Sequence, residues 1–329
     1  MVIAVDAVGG DHYPQSPVQG GIAAVNEASD LTVVLVGPEK MIREELASQE
    51  EPYDDKRIIV HDAPQIIEMN ESPASAVKTK QNSSIVKGIA MHKAGKCDAF
   101  VSAGNTGALL AASTFLLGKL EGVSRPAISA VFPTKKGQRL MIDVGANLEV
   151  RTDMFYQFAQ MGSIYVREVM GVDNPTVGLL NIGEEKKKGT EGLREAHSEL
   201  VSLPNFAGNI EGNDIFDAKS DVFLCDGLVG NLLLKFGESV PNALEAFIKK
   251  GVQRLNLGAE EAQLVGKVLK ASLAEFNPDH VGGVPFLGVD GISMVGHGSS
   301  SKLAVKNMIL SAAKCVQHNV NDKIVASLN

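Results

Sequence analysis

Residues Ala99–Leu117 read AFVSAGNTGALLAASTFLL. The stretch opens as a short apolar run, Ala99–Ser102, breaks at Ala103-Gly104-Asn105-Thr106, and resumes as an Ala- and Leu-rich helical segment over Gly107–Leu117. A second predicted helix, Ser83–Lys93, precedes it and stops at Gly95. Helix, strand, glycine loop and helix in that order are the parts of a βαβ unit, which builds a parallel sheet. In such sheets ligands sit at the carboxyl ends of strands. Glycine lets the backbone approach closely, and a following helix N-terminus favours an anion.

Working outward, five more segments have the same shape: VIAVDAVGGDH from Val2, LMIDVGAN from Leu140, VGLLNIGEE from Val177, VFLCDGLVGN from Val222 and ISMVGHGSS from Ile292. Strands are also expected at Leu31–Val36, Arg57–His61 and Phe206–Ile210, and helices at Val18–Ala28, Lys40–Gln49 and Asp153–Met170. The pattern predicts an α/β fold with a mostly parallel, doubly wound sheet. Ala127–Phe132 and Arg139–Asp143, separated by Pro133–Gln138, read either as a hairpin or as two neighbouring strands. No repeat or low-complexity linker interrupts residues 1–329, so a single continuous α/β domain is expected, with two intimate lobes as the alternative.

The bulk numbers narrow the function. The 329 residues are 44% hydrophobic with a net charge of −8, which argues against a nucleic-acid partner. There are no Trp and four Tyr, too few for a base-stacking platform. Cys97, Cys225 and Cys315 are scattered without a CxxC pair, as in a reducing compartment. No basic n-region precedes the opening VIAVD run and no unbroken apolar span is long enough for a membrane helix, so a cytoplasmic location is expected.

Leu244–Phe276 stands apart. Leu244, Phe247, Ile248, Val252 and Leu255 recur at helical spacing, and Leu264, Val265, Val268, Leu269 and Leu273 repeat the pattern after Gly258. An amphipathic helical hairpin that protrudes from the domain is predicted. Its Lys249, Lys250, Arg254, Lys267 and Lys270 face Glu245, Glu260, Glu261 and Glu275, leaving it slightly basic on an acidic chain. Core or dimer packing is one reading; the other is membrane or carrier contact through Leu255, Leu264 and Val268.

The loops hold the candidate chemistry. Asp6-Ala7-Val8-Gly9-Gly10-Asp11-His12 pairs two glycines with a histidine that Asp6 and Asp11 can orient. It is not a GxGxxG fingerprint. Gly104, Asn105 and Thr106 lead into a helix that Asn105 or Thr106 can cap while facing a ligand. Asp143 at a strand end needs a partner, either a loop N–H or a catalytic group, and Asn147 lies four residues on. Lys188 closes a lysine run that is either solvated or placed to neutralise phosphate. Asn231 and Lys235 share one helix face. His297 and Gly298 precede Ser299 and Ser300, one of which is expected to cap the last helix. No GxxxxGK[ST] loop, GxSxG elbow, HxxxH or HExxH spacing occurs, so neither a metal nor a cofactor is expected.

Taken together, nine stretches in order resemble the phosphate acyltransferase family of bacterial phospholipid synthesis. They are DAVGGDH (Asp6), ESPASAVKTKQNSS (Glu71), SAGNTGAL (Ser102), DVGAN (Asp143), MGSIY (Met161), GLLNIGEEKKKG (Gly178), DGLVGN (Asp226), GGVPFLGV (Gly282) and HGSS (His297). The chain departs from the family's common pattern at Val8, Tyr13 and Lys78; lysine lacks the planar bidentate grip of the arginine often found at the last. The resemblance implies transfer of a fatty acyl group from acyl carrier protein to inorganic phosphate, giving an acyl phosphate for a downstream glycerol-3-phosphate acyltransferase. It also implies a fold similar to isocitrate and isopropylmalate dehydrogenases and phosphotransacetylases, a homodimer, and peripheral membrane association.

In the mechanism these residues support, phosphate bound among the loops attacks the thioester directly. The thiol leaving group, of pKa near 8.5, needs little protonation. Orientation can contribute about 7–11 kcal/mol, and an oxyanion donor such as Asn105 or Asn231 about 3 kcal/mol. His12 or His297 is the proton carrier. Asp6, Gly9, Gly10, Asp11, Gly104, Thr106, Asp143, Asn147, Lys188, Lys235, Gly298 and Ser299 are the expected phosphate and substrate contacts. Three rival readings are a coenzyme A-dependent phosphotransacetylase, a metal- and nicotinamide-dependent decarboxylating dehydrogenase, and a non-catalytic membrane-associated scaffold.

Overall fold

The computed structural model describes residues 1–328 and contains one 11-stranded sheet. Its strands are β1 (Val2–Asp6), β2 (Thr32–Gly37), β3 (Ile58–Asp62), β4 (Ala99–Ser102), β5 (Ala127–Thr134), β6 (Gly137–Ile142), β7 (Val177–Leu180), β8 (Phe206–Ile210), β9 (Val222–Leu224), β10 (Val284–Leu287) and β11 (Ser293–Val295). Their order is β3-β2-β1-β4-β11-β10-β5-β6-β9-β7-β8. The five strands from β3 to β11 run parallel to one another, as do the four from β6 to β8. The pairs β11–β10, β10–β5 and β5–β6 are antiparallel. Residues 127–142 therefore form the hairpin, with Pro133 opposite Gln138.

Three antiparallel steps reverse direction, so the two parallel halves point in opposite senses. The carboxyl ends of β1, β4 and β11 lie along one edge, and those of β6, β9 and β7 along the other. The six glycine loops therefore divide between two strand-end edges.

Helices cover both faces, as the apolar alternation requires. Ile3 and Val5 of β1, Ala99 and Val101 of β4, and Leu140 and Ile142 of β6 join one core with Val18, Ile22, Phe158 and Ile309 from the helices. On the other face the core is split. Ala4 and Phe100 pack with Ile85, Ile89 and Leu109, whereas Met141 and Phe223 pack with Ile210 and Ile215 in a separate cluster. The division between these clusters runs between β10, whose Phe286 joins the first, and β5, whose Ala130 and Phe132 join the second.

The hairpin is longer than its sequence pattern indicated. The DGLVGN loop passes directly into a helix, Gly227–Arg254, whose N-cap Asp226 accepts from the Val229 N–H at 2.8 Å. The return helix is Ala259–Ser272, and none of its residues is buried. The last long helix, Lys302–Gln317, is capped by Ser301, whose Oγ accepts from Leu303 and Ala304; this corrects the expectation of Ser299 or Ser300. No described helix is long and apolar enough to cross a membrane.

His92 staples the entries of two central strands. Its Nδ1–H donates to the Cys97 carbonyl at 3.0 Å, and its Nε2 accepts from the Ile292 N–H at 2.9 Å. The ring must stay neutral to accept, and burial lowers its pKa. The folded chain then takes up this proton at a lower pH than the unfolded chain, so His92 costs stability as pH falls through the ordinary histidine value near 6.5. In His92→Gln, the loss of unfolding free energy between about pH 7 and about pH 5 should be smaller than in the parent chain, by up to ~1 kcal/mol per pH unit; urea unfolding at the two pH values measures it.

Candidate active site

At the first edge, three loops pack without room for side chains. The Ser102 hydroxyl donates to Asp6 Oδ2 at 2.6 Å and accepts from Gly104 N–H at 3.0 Å. Val8 N–H donates to Asp6 Oδ1 at 3.2 Å. A Cβ on Gly9 would lie 2.7 Å from Asp6 Oδ2 and 2.9 Å from Gly104 N. Gly10 sits at φ +93°, and a Cβ there would lie 2.8 Å from the Gly298 carbonyl. That carbonyl accepts from Asp11 N–H at 2.7 Å, tying the first loop to the last. Asp6 is buried, which pushes its carboxyl above the ordinary range, while the Ser102, Ser84 and Val8 donors pull it back.

The second edge repeats this arrangement around Asp143. Its Oδ1 accepts from the Ile128, Gly145 and Ala146 N–H groups, each at 3.1 Å. Its Oδ2 accepts from Asn147 N–H at 2.7 Å and Asn147 Nδ2 at 2.8 Å. Burial raises the pKa of this carboxyl against the pull of those donors. The start of the Gly227–Arg254 helix lies on the same loop. Gly227 N–H donates to the Asn147 carbonyl at 2.7 Å, and a Cβ on Gly230 would fall 1.9 Å from the Asp143 carbonyl.

Between the two edges, over the split in the core, lies a hollow of about 490 Å³. Ile128, Ala130 and Val284 form its floor, and Thr106, Gly145, Asn231, Lys235 and His297-Gly298-Ser299 its walls. Loops on opposite edges therefore reach one cavity by leaning over the same sheet face.

His297 is set by its neighbours. Ser299 N–H donates to Nδ1 at 3.2 Å, and the Ser299 hydroxyl lies 2.7 Å from the same atom. With Nδ1 accepting from a backbone amide, the neutral ring carries its proton on Nε2. Nε2 lies 4.0 Å from Glu238 Oε1, and Lys235 Nζ 3.9 Å from Glu238 Oε2. Glu238 also lines the hollow and escaped the sequence reading. Extending the Asn231–Lys235 face by a further helical step would have found it.

Several expected residues serve other ends. The Asn105 side chain is consumed: Oδ1 accepts from Ala108 N–H at 2.9 Å, and Nδ2 donates to the Glu68, Met69 and Glu71 carbonyls at 3.1–3.2 Å. Its expected oxyanion role is corrected, because no donor is left. Asn147 is likewise committed to Asp143 and to the Pro126 carbonyl. His12 is exposed, and it, Asp6, Gly9, Gly10, Asp11 and Gly104 all lie outside the lining of the hollow, so their expected substrate contacts are corrected. Lys188 follows β7, which β9 separates from β6, and lies 3.9 Å from Glu185 rather than in the hollow. Among the described residues no cluster of His, Cys, Asp or Glu could hold a metal.

The fold is that of solved phosphotransacetylases. A phosphotransacetylase from Streptococcus pyogenes superposes with a TM-score of 0.61 at 14% identity, covering 96% of this chain and 94% of that one. A branched-chain phosphotransacylase from Enterococcus faecalis V583 gives 0.59 at 12% identity, covering 97% and 100%. The family model described as "Fatty acid synthesis protein" matches residues 1–323, and the chain belongs to that family. A curated relative named phosphate acyltransferase from Chlorobaculum parvum is 45% identical over 100% of this chain and 99% of its own. Another of that name, from Salinibacter ruber, is 46% identical over 97% and 95%. The chain is an acyltransferase enzyme, which sets the non-catalytic scaffold aside.

Asp143→Asn would turn one oxygen into an NH₂ group facing N–H donors. It should lower unfolding free energy by about 1–3 kcal/mol. Asn231→Ala, at an exposed position, should leave stability within ~0.5 kcal/mol. Urea titration of both variants checks the difference.

Proposed function

We propose that this acyltransferase moves a fatty acyl group from acyl carrier protein to inorganic phosphate, and that the acyl phosphate then supplies a glycerol-3-phosphate acyltransferase in phospholipid synthesis. The observation that carries the reading is the single hollow lined by Thr106, Gly145, Asn231, Lys235 and the 296–300 loop.

Phosphate is held by Lys235 and the backbone of the 296–299 loop. A phosphate oxygen attacks the thioester carbonyl carbon, and the Asn231 amide steadies the oxyanion. Collapse breaks the C–S bond and releases a thiolate of pKa near 8.5, which leaves with little assistance. His297 Nε2–H is placed to hydrogen-bond the phosphate or the departing sulfur, with Ser299 holding the ring through Nδ1. Catalysis here is mostly positioning and fixed dipoles.

A carrier protein rather than coenzyme A is supported by charge. The chain carries −8, yet residues 244–276 hold five lysines and arginines against four glutamates. Lys249 and Lys270 rim the slot between the arms. An acidic carrier is drawn to such a surface. Homodimerisation and peripheral membrane contact are supported by unusual apolar exposure: Phe236 is 66% exposed on the long helix, and Leu255, Leu264 and Val268 are 71%, 64% and 57% exposed on the hairpin.

Acyl phosphate trapped with hydroxylamine reads the reaction. Asn231→Ala should lower kcat by about 10²–10³-fold, and Lys235→Met should raise KM for phosphate. Acyl-carrier thioester should outperform the matched coenzyme A thioester. Near-parental rates in both Asn231→Ala and His297→Ala would remove the proposed mechanism. Separately, Leu255→Glu combined with Leu264→Glu should abolish flotation with anionic vesicles while sedimentation still reports a dimer. Lost dimers with unchanged flotation would assign these residues to the subunit interface instead.

A further inference from the structure

The segment that links β3 to the helix Pro73–Thr79 is pinned along its backbone. Ile67 is buried in one core with Phe100 and Leu109. Lys80 Nζ donates to the Ile66 carbonyl at 2.6 Å and pairs with Glu71, whose carboxylate also accepts from the Glu68 N–H at 2.7 Å. Asn105, itself buried, shares the two protons of its amide among the Glu68, Met69 and Glu71 carbonyls. Capping the Ala108 N–H uses only the other end of that side chain. Water could solvate carbonyls on a surface segment, so the clamp's effect is to fix the path of the backbone.

What it fixes is Met69. This side chain is 50% exposed and lines the hollow beside Thr106 and Gly298. A Cβ on Gly298 would lie 3.2 Å from Met69 Cε, so the methyl group rests against that glycine. The 297–299 backbone is held without its help: the Gly298 carbonyl accepts from Asp11 N–H at 2.7 Å, and the His297 carbonyl from the Ser300 hydroxyl at 2.5 Å. Single exposed apolar side chains are ordinary. Here a flexible thioether stands on a fixed backbone, against the loop that holds phosphate in the acyl-transfer reading, with half of its surface left for another group to cover.

We infer that Met69 is a specificity-determining residue that packs on the first carbons of the acyl chain, and that Asn105 is the residue that positions it. The inference rests on the acyl-transfer reading and adds which part of the acyl group the protein inspects. With the carbonyl carbon between the 296–299 loop and Asn231, contact at Gly298 sets the Met69 methyl beside carbons 2 and 3. An unbranched chain lets the thioether lie along it. A methyl branch at carbon 2 competes for the volume that Cε occupies. Phosphate gains nothing from an apolar methyl group, so Met69 acts on the thioester alone.

The test compares octanoyl and 2-methyloctanoyl thioesters of one carrier, trapping acyl phosphate with hydroxylamine. The parent should favour the straight chain by at least about tenfold in kcat/KM. Met69→Ala should cut that preference by at least about fivefold with KM for phosphate unchanged. Met69→Leu, which conserves volume, should keep it within about twofold. Asn105→Asp keeps the cap but turns two donors into acceptors facing three carbonyls. It should show the Met69→Ala preference, and the double variant should go no further, because the two residues act as one unit. Met69 is exposed, so its variants fold whatever Asn105→Asp does to stability. An unchanged preference in Met69→Ala would overturn the inference and leave acyl transfer to phosphate intact. So would an equal change for both thioesters, which would set Met69 against the thiol arm of the carrier, or a raised KM for phosphate, which would set it at the anion. A parental preference in folded Asn105→Asp would remove Asn105 from the positioning role. Failure of the parent chain to make acyl phosphate from octanoyl or palmitoyl thioester would instead remove the reading on which the inference rests.

Discussion

Two buried carboxylates hold the site together. Asp6 ends β1 and Asp143 directly follows β6, strands that run in opposite senses, and each gathers the hydrogen-bond donors of its own loop. A carboxylate buried without donors would cost several kcal/mol, so each loop can fold only around its carboxylate. The glycines follow from the same constraint. Gly9 and Gly104 must lie close to Asp6, and Gly230 close to the Asp143 carbonyl, leaving no space for a Cβ. The backbone is thereby fixed before any substrate arrives, and fixed dipoles are what acyl transfer to phosphate asks of a protein.

The antiparallel strands at the centre turn two such edges into one cavity. A wholly parallel sheet would place every loop on one rim above the strand ends. Here the reversal at β10 and β5 sends half of the loops to the opposite rim, and the split in the helical layer exposes the sheet between them. The hollow is consequently floored by strand side chains such as Ile128 and Ala130, and loops reach it from two directions.

Much of this was legible in the sequence. Local chemistry marked nearly every strand–loop–helix junction, the hairpin, and the pair Asn231 and Lys235, because glycine position and apolar period are local properties. What escaped was non-local. Strand direction depends on β10, a four-residue strand bracketed by glycines, whose pairing with β5 no periodicity reveals. Asn105 reads as a free amide until Glu68, Met69 and Glu71 are seen to consume it. Lys188 reads as a phosphate ligand until β7 is placed beyond β9. The cap at Ser301 won over Ser299 because Ser299 is engaged with the His297 ring.

The helix Gly227–Arg254 joins these levels. Its first turn rests on the Asp143 loop through Gly227 and Gly230, and its next turns present Asn231, Lys235 and Glu238 to the hollow. Gly237 then seats it against Phe132, and beyond Pro241 it leaves the body as an arm of the hairpin. Proline has no N–H to donate to the Gly237 carbonyl, so the helix is least restrained where body becomes arm. One helix thus carries Asn231, Lys235 and Glu238 beside the hollow and lines the apolar slot at its far end. The start of this helix tolerates little side-chain volume at Gly227 and Gly230, which lie against the Asn147 and Asp143 carbonyls, while its outer arm buries almost nothing.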